Sequence, residues 1–209
     1  KVQPMKISAA EAIWQTESPS ADFIVIANID EKKQENTFEI TVPKALSFLL
    51  YNKFTGAVQG LTELQAEAEA QYGPGNYIPP VTITFWVFRF MVGIGFLMAL
   101  LALLAVIRPK VKFIEKSQLF LKILLPAMIL PYLANTFGWI LTEEARQPWI
   151  VYGLLKVENA GSPNLTTGNV LFSLILFTVL LSALVAVTGW LMIKSGTAEP
   201  KVEQAESKA

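Results

Sequence analysis

The chain has 209 residues, 53% hydrophobic and only 16% charged, and its 17 basic and 17 acidic side chains cancel to zero net charge. That balance leaves no basic footprint for nucleic acid, and the lack of cysteine excludes disulfides, thiolate catalysis and cysteine-held metal or iron–sulfur sites. Histidine is also absent, so any metal centre here must use Met, Glu, Asp, Tyr or Lys, or take imidazole from another chain. Residues 1–79 read as a polar, mixed region outside a bilayer. Pro4, followed by the good helix formers up to Trp14, predicts a short helix. Lys6 and Glu11 lie five apart, about 140° around such a helix. They share no narrow face, so a joint role requires them to flank a ligand. Phe23–Ile26 and Thr37–Val42 are β-rich, and the charged, turn-like stretch between them predicts a hairpin. Lys44–Tyr51 is apolar but too short to span, which predicts a surface-lying helix. Thr62 and Gln65 have the spacing of a capping box for a helix running to Gln71. Its Glu63, Glu67 and Glu69 read as a solvated face. Gly73-Pro74-Gly75 and Pro79-Pro80 then break the chain.

Three apolar runs follow: Phe85–Ile107, Leu119–Leu141 and Val170–Ile193. Each is long enough to cross a bilayer, which takes roughly 20 residues. Pro126 and Pro131 are kink sites in the second. Arg108, Lys110, Lys112 and Lys116, with one acid, Glu115, occupy the loop between the first two runs. The positive-inside rule puts that loop in the cytoplasm and residues 1–79 on the outer side. Residues 195–209 read as a polar, disordered cytoplasmic tail. Nothing ahead of the first run resembles a signal peptide. The predicted class is an all-α membrane protein: three transmembrane helices over residues 80–194, preceded by a small mixed α/β extramembrane region over 1–79.

The stretch Gly138-Trp139-Ile140-Leu141-Thr142-Glu143-Glu144-Ala145-Arg146-Gln147-Pro148-Trp149 closes the second run and places carboxylates, a guanidinium and two indoles at its boundary. Ionisable groups there are costly unless paired, hydrated or bound to something, which makes them candidates for function. In a helix Trp139, Glu143 and Arg146 stack along one face, and Pro148 marks the end. A structural reading of the same residues is a snorkelling Glu143–Arg146 pair with an interfacial tryptophan belt. Near the start of the first run, Met91 is either apolar filler or a thioether ligand to haem iron. Two residues earlier, Arg89 either snorkels to headgroups or pairs with a haem propionate. Glu143 is a hard anion suited to a high-spin, reactive centre. All these residues, with Lys6 and Glu11, fall on one side of the membrane.

Pro79-Pro80, then Phe85-Trp86-Val87-Phe88-Arg89-Phe90-Met91-Val92-Gly93, then Gly138-Trp139 through Arg146-Gln147-Pro148-Trp149, resemble the second half of subunit I of cytochrome bd quinol oxidases. Gln3-Pro4-Met5-Lys6 with Ala9-Ala10-Glu11 resembles the start of that family's quinol-binding loop, in its short form. The resemblance implies oxidation of a membrane quinol, with electrons passing through two b haems to a haem d, or a third haem b, where oxygen is reduced to water. It implies Met91 as axial ligand of the low-spin haem b, Arg89 beside that haem, Glu143 as ligand of the high-spin haem b, Trp139 among the haems, and Arg146 as the motif arginine. Lys6 and Glu11 are implied in quinol binding. The implied partners are a chain or region carrying the first half of subunit I with its histidine ligands, oxidase subunit II and small single-span subunits. The implied location is a bacterial or archaeal plasma membrane. Ala145 stands where the family has glycine, which would crowd a close approach of backbone to haem. The alternative is a haem-free structural or assembly subunit of the same descent.

Overall fold

The computed structural model describes residues 3–108, 118–162 and 164–197. Lys110, Lys112, Glu115, Lys116 and the tail beyond Thr197 lie outside the described residues. The chain divides into two compact units, Lys1–Ala160 and Gly161–Ala209. The first unit runs α1 (Pro4–Ala10), β1 (Phe23–Asp30), β2 (Glu35–Val42), α2 (Ala45–Tyr51), α3 (Leu61–Tyr72), α4 (Val81–Ile107), α5 (Gln118–Ala127), α6 (Leu130–Glu144), β3 (Trp149–Val151) and β4 (Leu155–Lys156). The second unit holds α7 (Thr167–Thr197). Val81–Ile107, Gln118–Glu144 and Thr167–Thr197 are long and apolar enough to cross a bilayer. The helices start earlier than the apolar runs, and the second and third end later, because the backbone ladder continues through flanking residues that hydropathy alone leaves out.

Local chemistry accounts for the elements. Pro4 opens α1, where its missing N–H is no loss. β1 and β2 form an antiparallel hairpin from the pair Phe23–Val42 to the pair Asp30–Glu35, with two irregularities in register. The second span is two helices. α5 ends at Ala127 just past Pro126, a turn through Met128 and Ile129 follows, and α6 restarts with Pro131 in its first turn. Where kinks at the two prolines were expected, the helix is broken outright. α4 begins after Pro79-Pro80, and its first turn is capped from a distance: the Thr82 amide donates to Glu31 Oε1 at 2.7 Å. A carboxylate placed there also offsets the positive end of the helix.

The capping box expected at Thr62 and Gln65 does not form. Gly60 caps α3, with no side-chain cap bond. Thr62 Oγ1 donates instead to the Trp14 carbonyl at 2.7 Å, while Gln65 accepts from the Tyr77 amide at 2.8 Å and donates to the Gly75 carbonyl. Tertiary partners outcompete the local motif because they satisfy groups that would otherwise be buried unpaired.

The core of the region ahead of α4 sits on the first turns of that helix. Met5, Ala9, Trp14, Ile24, Leu61, Leu64 and Tyr77 pack with Val81 and Phe85 of α4, and with Trp149 from beyond α6. α4 and α6 pack against each other. The main chain packs tightly at Gly60, where a Cβ would collide with the backbone of Gln15. Backbone cannot swing aside as a side chain tip can. Gly60→Ala is therefore expected to lower the thermal unfolding midpoint of the purified protein by several degrees, read by differential scanning; an unchanged midpoint would show that the α1–α3 junction yields freely.

Candidate functional site

Arg89 lies two turns into α4, yet its guanidinium is turned onto the extramembrane region. Nε donates to the Ile24 carbonyl at 2.9 Å, and Nη2 donates to the same oxygen. Nη1 donates to the Ala10 carbonyl at 2.5 Å and to the Phe85 carbonyl at 3.2 Å. Nη2 also pairs with Glu11 Oε2 at 2.9 Å, the two side chains being only 10% and 5% exposed. The Phe85 ring lies under the guanidinium, 3.3 Å from centroid to Cζ. Nε, Nη1 and Nη2 are thus all engaged within the chain. Glu11 follows the end of α1, where Ala12 takes a left-handed φ of 53° and turns the chain inward. Burial pushes the Glu11 carboxyl up to about 7, and Arg89 pulls it back only part of the way.

Arg89 and Met91 are two residues apart, so on a helix they face different neighbours. Met91 points to α6. A Cβ built on Gly138 would stand 3.1 Å from Met91 Sδ, so the thioether occupies the groove that the missing side chain opens. Next to it the Phe90 and Phe137 rings pack with centroids 5.3 Å apart. Gly138 thereby brings the two helices close at the level of the Met91 sulfur. Five residues further along α6, about 7.5 Å of axial rise, stands Glu143, half-buried and paired with Arg146.

The expected single helix through Trp139, Glu143 and Arg146 is corrected at its end. α6 stops at Glu144, and Arg146 lies in a turn. Pro148 disfavours helical geometry in the residue before it, and Trp149 leaves to join the extramembrane core. Arg146 still reaches Glu143 across that turn. Trp139 is 65% exposed and directed away from the rest of the unit. Ala145 is buried. It lines, with Lys6, Tyr72, Tyr77, Arg146 and Trp149, a cavity of about 20 Å³, enough for one water. Lys6 and Glu11 therefore do not meet: one faces this cavity beside the end of α6, the other faces Arg89. A wider groove of about 520 Å³, lined by Glu31, Gln65, Glu69, Asn76 and Pro80 among others, includes neither.

Sequence reading singled out Trp149 as a boundary indole but missed the partners that hold it in place. Trp149 packs edge-on to Tyr72 at 4.9 Å and stacks on Tyr77 at 5.8 Å. Lys156, on the strand paired with Trp149, sits 4.5 Å over the Tyr77 ring and donates to its hydroxyl at 3.1 Å. This cation–aromatic latch ties the segment after α6 to the segment before α4. The only sequence signal was a pair of tyrosines flanking the Gly-Pro-Gly break.

Residues 1–200 match the family described as cytochrome bd terminal oxidase subunit I. The chain is 46% identical over 192 residues to cytochrome bd ubiquinol oxidase subunit 1 of Bacillus subtilis (strain 168), covering 92% of this chain and 41% of that protein. It is 29% identical over 262 positions to cytochrome bd-II ubiquinol oxidase subunit 1 of Escherichia coli (strain K12), covering 99% of this chain and 51% of that protein. In three dimensions it is similar to the structure of bd oxidase from Geobacillus thermodenitrificans, with a TM-score of 0.73 and 29% identity, over 96% of this chain and 43% of that one. The chain thus spans about half or less of the length of these relatives.

Because Glu11 is raised above its ordinary value of 4.5 to about 7 in the folded protein, the folded state holds more protons than the unfolded state between those two values. Stability therefore falls as pH rises through that window. Thermal unfolding followed between pH 5 and pH 8 is expected to show this fall, and Glu11→Gln to flatten it; an equal slope in the variant would assign the dependence to another group.

Proposed function

The chain belongs to the cytochrome bd terminal oxidase subunit I family, and from that premise we propose that it works within a quinol-oxidising, oxygen-reducing membrane complex. The motifs that carried the resemblance lie inside the matched residues, and three helices able to cross a bilayer agree with a membrane subunit. In this reading Met91 would hold a low-spin haem b and Glu143 a high-spin haem b. The third haem, d or b type, and the histidine ligands belong to the part of the family's length that this chain does not span. Oxidase subunit II, small single-span subunits and a quinone-containing plasma membrane complete the setting, with residues 1–79 on its outer side.

The observation that carries the proposal is the convergence of Glu11, Arg89, Met91 and Glu143 around one end of the α4–α6 pair. The donors suit the groups assigned to them. Met91 offers a soft thioether in a groove that a Cβ at Gly138 would fill, and a thioether donor would suit a low-spin haem of raised potential. Glu143 offers a hard, half-buried carboxylate with Arg146 beside it. When bound, the haems would supply the one-electron acceptors for quinol and the place of oxygen reduction. The chain's own task is acid–base and positional. Glu11, buried and raised to about 7, is poised as the base for a quinol hydroxyl, because a base works best with its pKa near the working pH. Arg89 holds that carboxylate at the membrane boundary and thereby acts as a positioning residue. Lys6 faces the small cavity by Arg146, so its proposed part in quinol binding is played at a place apart from Glu11.

The first test is a reduced-minus-oxidised absorbance spectrum of the complex purified through this chain. Met91→Leu is expected to abolish the low-spin b signal or convert it to high-spin; an unaltered spectrum overturns the ligand assignment and favours a haem-free scaffold. Separately, Glu11→Gln is expected to lower quinol turnover by about 10²-fold or more, the usual range for losing a general base, with haem content unchanged. Loss of haem in that variant would make Glu11 structural.

A further inference from the structure

α2 and the turn after it present an apolar surface that the rest of the first unit leaves open. Leu46 and Ser47 are buried beneath α2. Phe48, Leu49, Leu50, Tyr51 and Phe54 face outward, Leu49 at 65% and Phe54 at 63% exposure. The Phe48 and Phe54 rings stack with centroids 5.1 Å apart, so the surface is one continuous patch. Between Glu39 and Glu63 the sequence contains no acid, and its only charges are Lys44 and Lys53, which lie at the two ends of this patch, both exposed. Such a patch, apolar and aromatic with a cation at each edge, matches the chemistry of a bilayer surface, where rings enter the upper acyl region and lysines reach phosphate.

Its depth agrees. α4 has 27 residues, about 40 Å of helix, against a hydrocarbon core of about 30 Å. Its buried residues are Val81, Thr84, Phe85 and Val87, all in the first two turns. The extramembrane region therefore covers those turns and stops near Arg89, which marks the level of the membrane boundary. Arg89 bonds the Ile24 carbonyl and lies 5.4 Å from the Phe23 ring. Phe23 packs on the cluster that contains Leu46 of α2, and Ser47 Oγ accepts from the Ala21 amide at 2.7 Å. α2 is thus tied within a few residues to the strand end that sits at that level.

We infer that α2 and the Lys53–Phe54 turn lie on the bilayer surface as a lipid anchor, with Phe48, Leu49 and Phe54 in the upper acyl region and Lys44 and Lys53 against anionic headgroups. The anchor holds the strand end at Phe23 and the Arg89–Glu11 pair level with the membrane, the depth from which any lipid-soluble substrate arrives. It rests on the apolar spans and on the patch itself, not on haem ligation, so it stands or falls separately from the functional reading.

The absence of cysteine in this chain allows a direct test. Leu49→Cys, and Phe54→Cys as a second site, are labelled with a nitroxide in the intact complex in lipid nanodiscs, with the unsubstituted complex as labelling background and exposed Glu67→Cys on α3 as a water-facing control. Power saturation compares collision with oxygen, which concentrates in lipid, and with a water-soluble nickel chelate. Oxygen accessibility exceeding nickel accessibility severalfold at positions 49 and 54, with the reverse at 67, is the expected result. Nickel accessibility equal to that of the control overturns the inference. Low accessibility to both overturns it as well, since the patch is then covered by another protein surface. In nanodiscs of anionic phosphatidylglycerol, Lys44→Glu with Lys53→Glu is expected to move the label at 49 toward nickel accessibility; no movement would remove the headgroups from the proposal.

Discussion

A guanidinium buried at the boundary between α4 and the extramembrane region is the constraint on which the first unit depends. An arginine in an apolar helix is costly unless its donors are met. Here they are met by main-chain carbonyls of Ala10, Ile24 and Phe85 and by the carboxylate of Glu11. Three separate pieces of chain therefore have to arrive at one point: the end of α1, the start of β1 and the third turn of α4. Removing a single partner of such a pair leaves the other charge stranded, typically at a cost of about 3–5 kcal/mol. The region ahead of α4 and α4 itself are thereby made interdependent, and Glu11 is fixed against α4 as a consequence.

A second set of contacts governs the other helix. Gly138 lets α6 approach α4 closely enough for the Met91 sulfur to fill the space where a side chain would stand. Beyond α6, Trp149 and Lys156 clasp Tyr72 and Tyr77, so the turn carrying Arg146 is held from both ends. The outcome is a spatial separation of chemistries: a buried carboxyl with its guanidinium, a soft thioether between helices, and a hard carboxylate with an arginine at the helix end. That separation is what the proposal of a proton accepted and an electron passed at neighbouring but distinct places rests on. The membership of the chain in the cytochrome bd terminal oxidase subunit I family agrees with it.

The sequence by itself determined the spans, the hairpin, the short helices at Pro4 and Ala45, and the place of the proline break in the second span, because each follows from hydropathy, β-propensity or backbone chemistry acting over a few residues. It also exposed the motif residues, since charge and indole groups at the edge of an apolar run stand out without any structure. What only the tertiary structure decided are the partners. Arg89 meets Glu11 across 78 residues and Ile24 across 65, and Lys156 meets Tyr77 across 79. Thr62 and Gln65 abandon their local cap for Trp14, Tyr77 and Gly75. Lys6 and Glu11, five residues apart in one motif, face different neighbours. The reason is common to all of them. A buried donor or acceptor takes whichever partner the packed fold brings within reach, and that choice is made by the geometry of distant segments, not by the residues beside it in sequence.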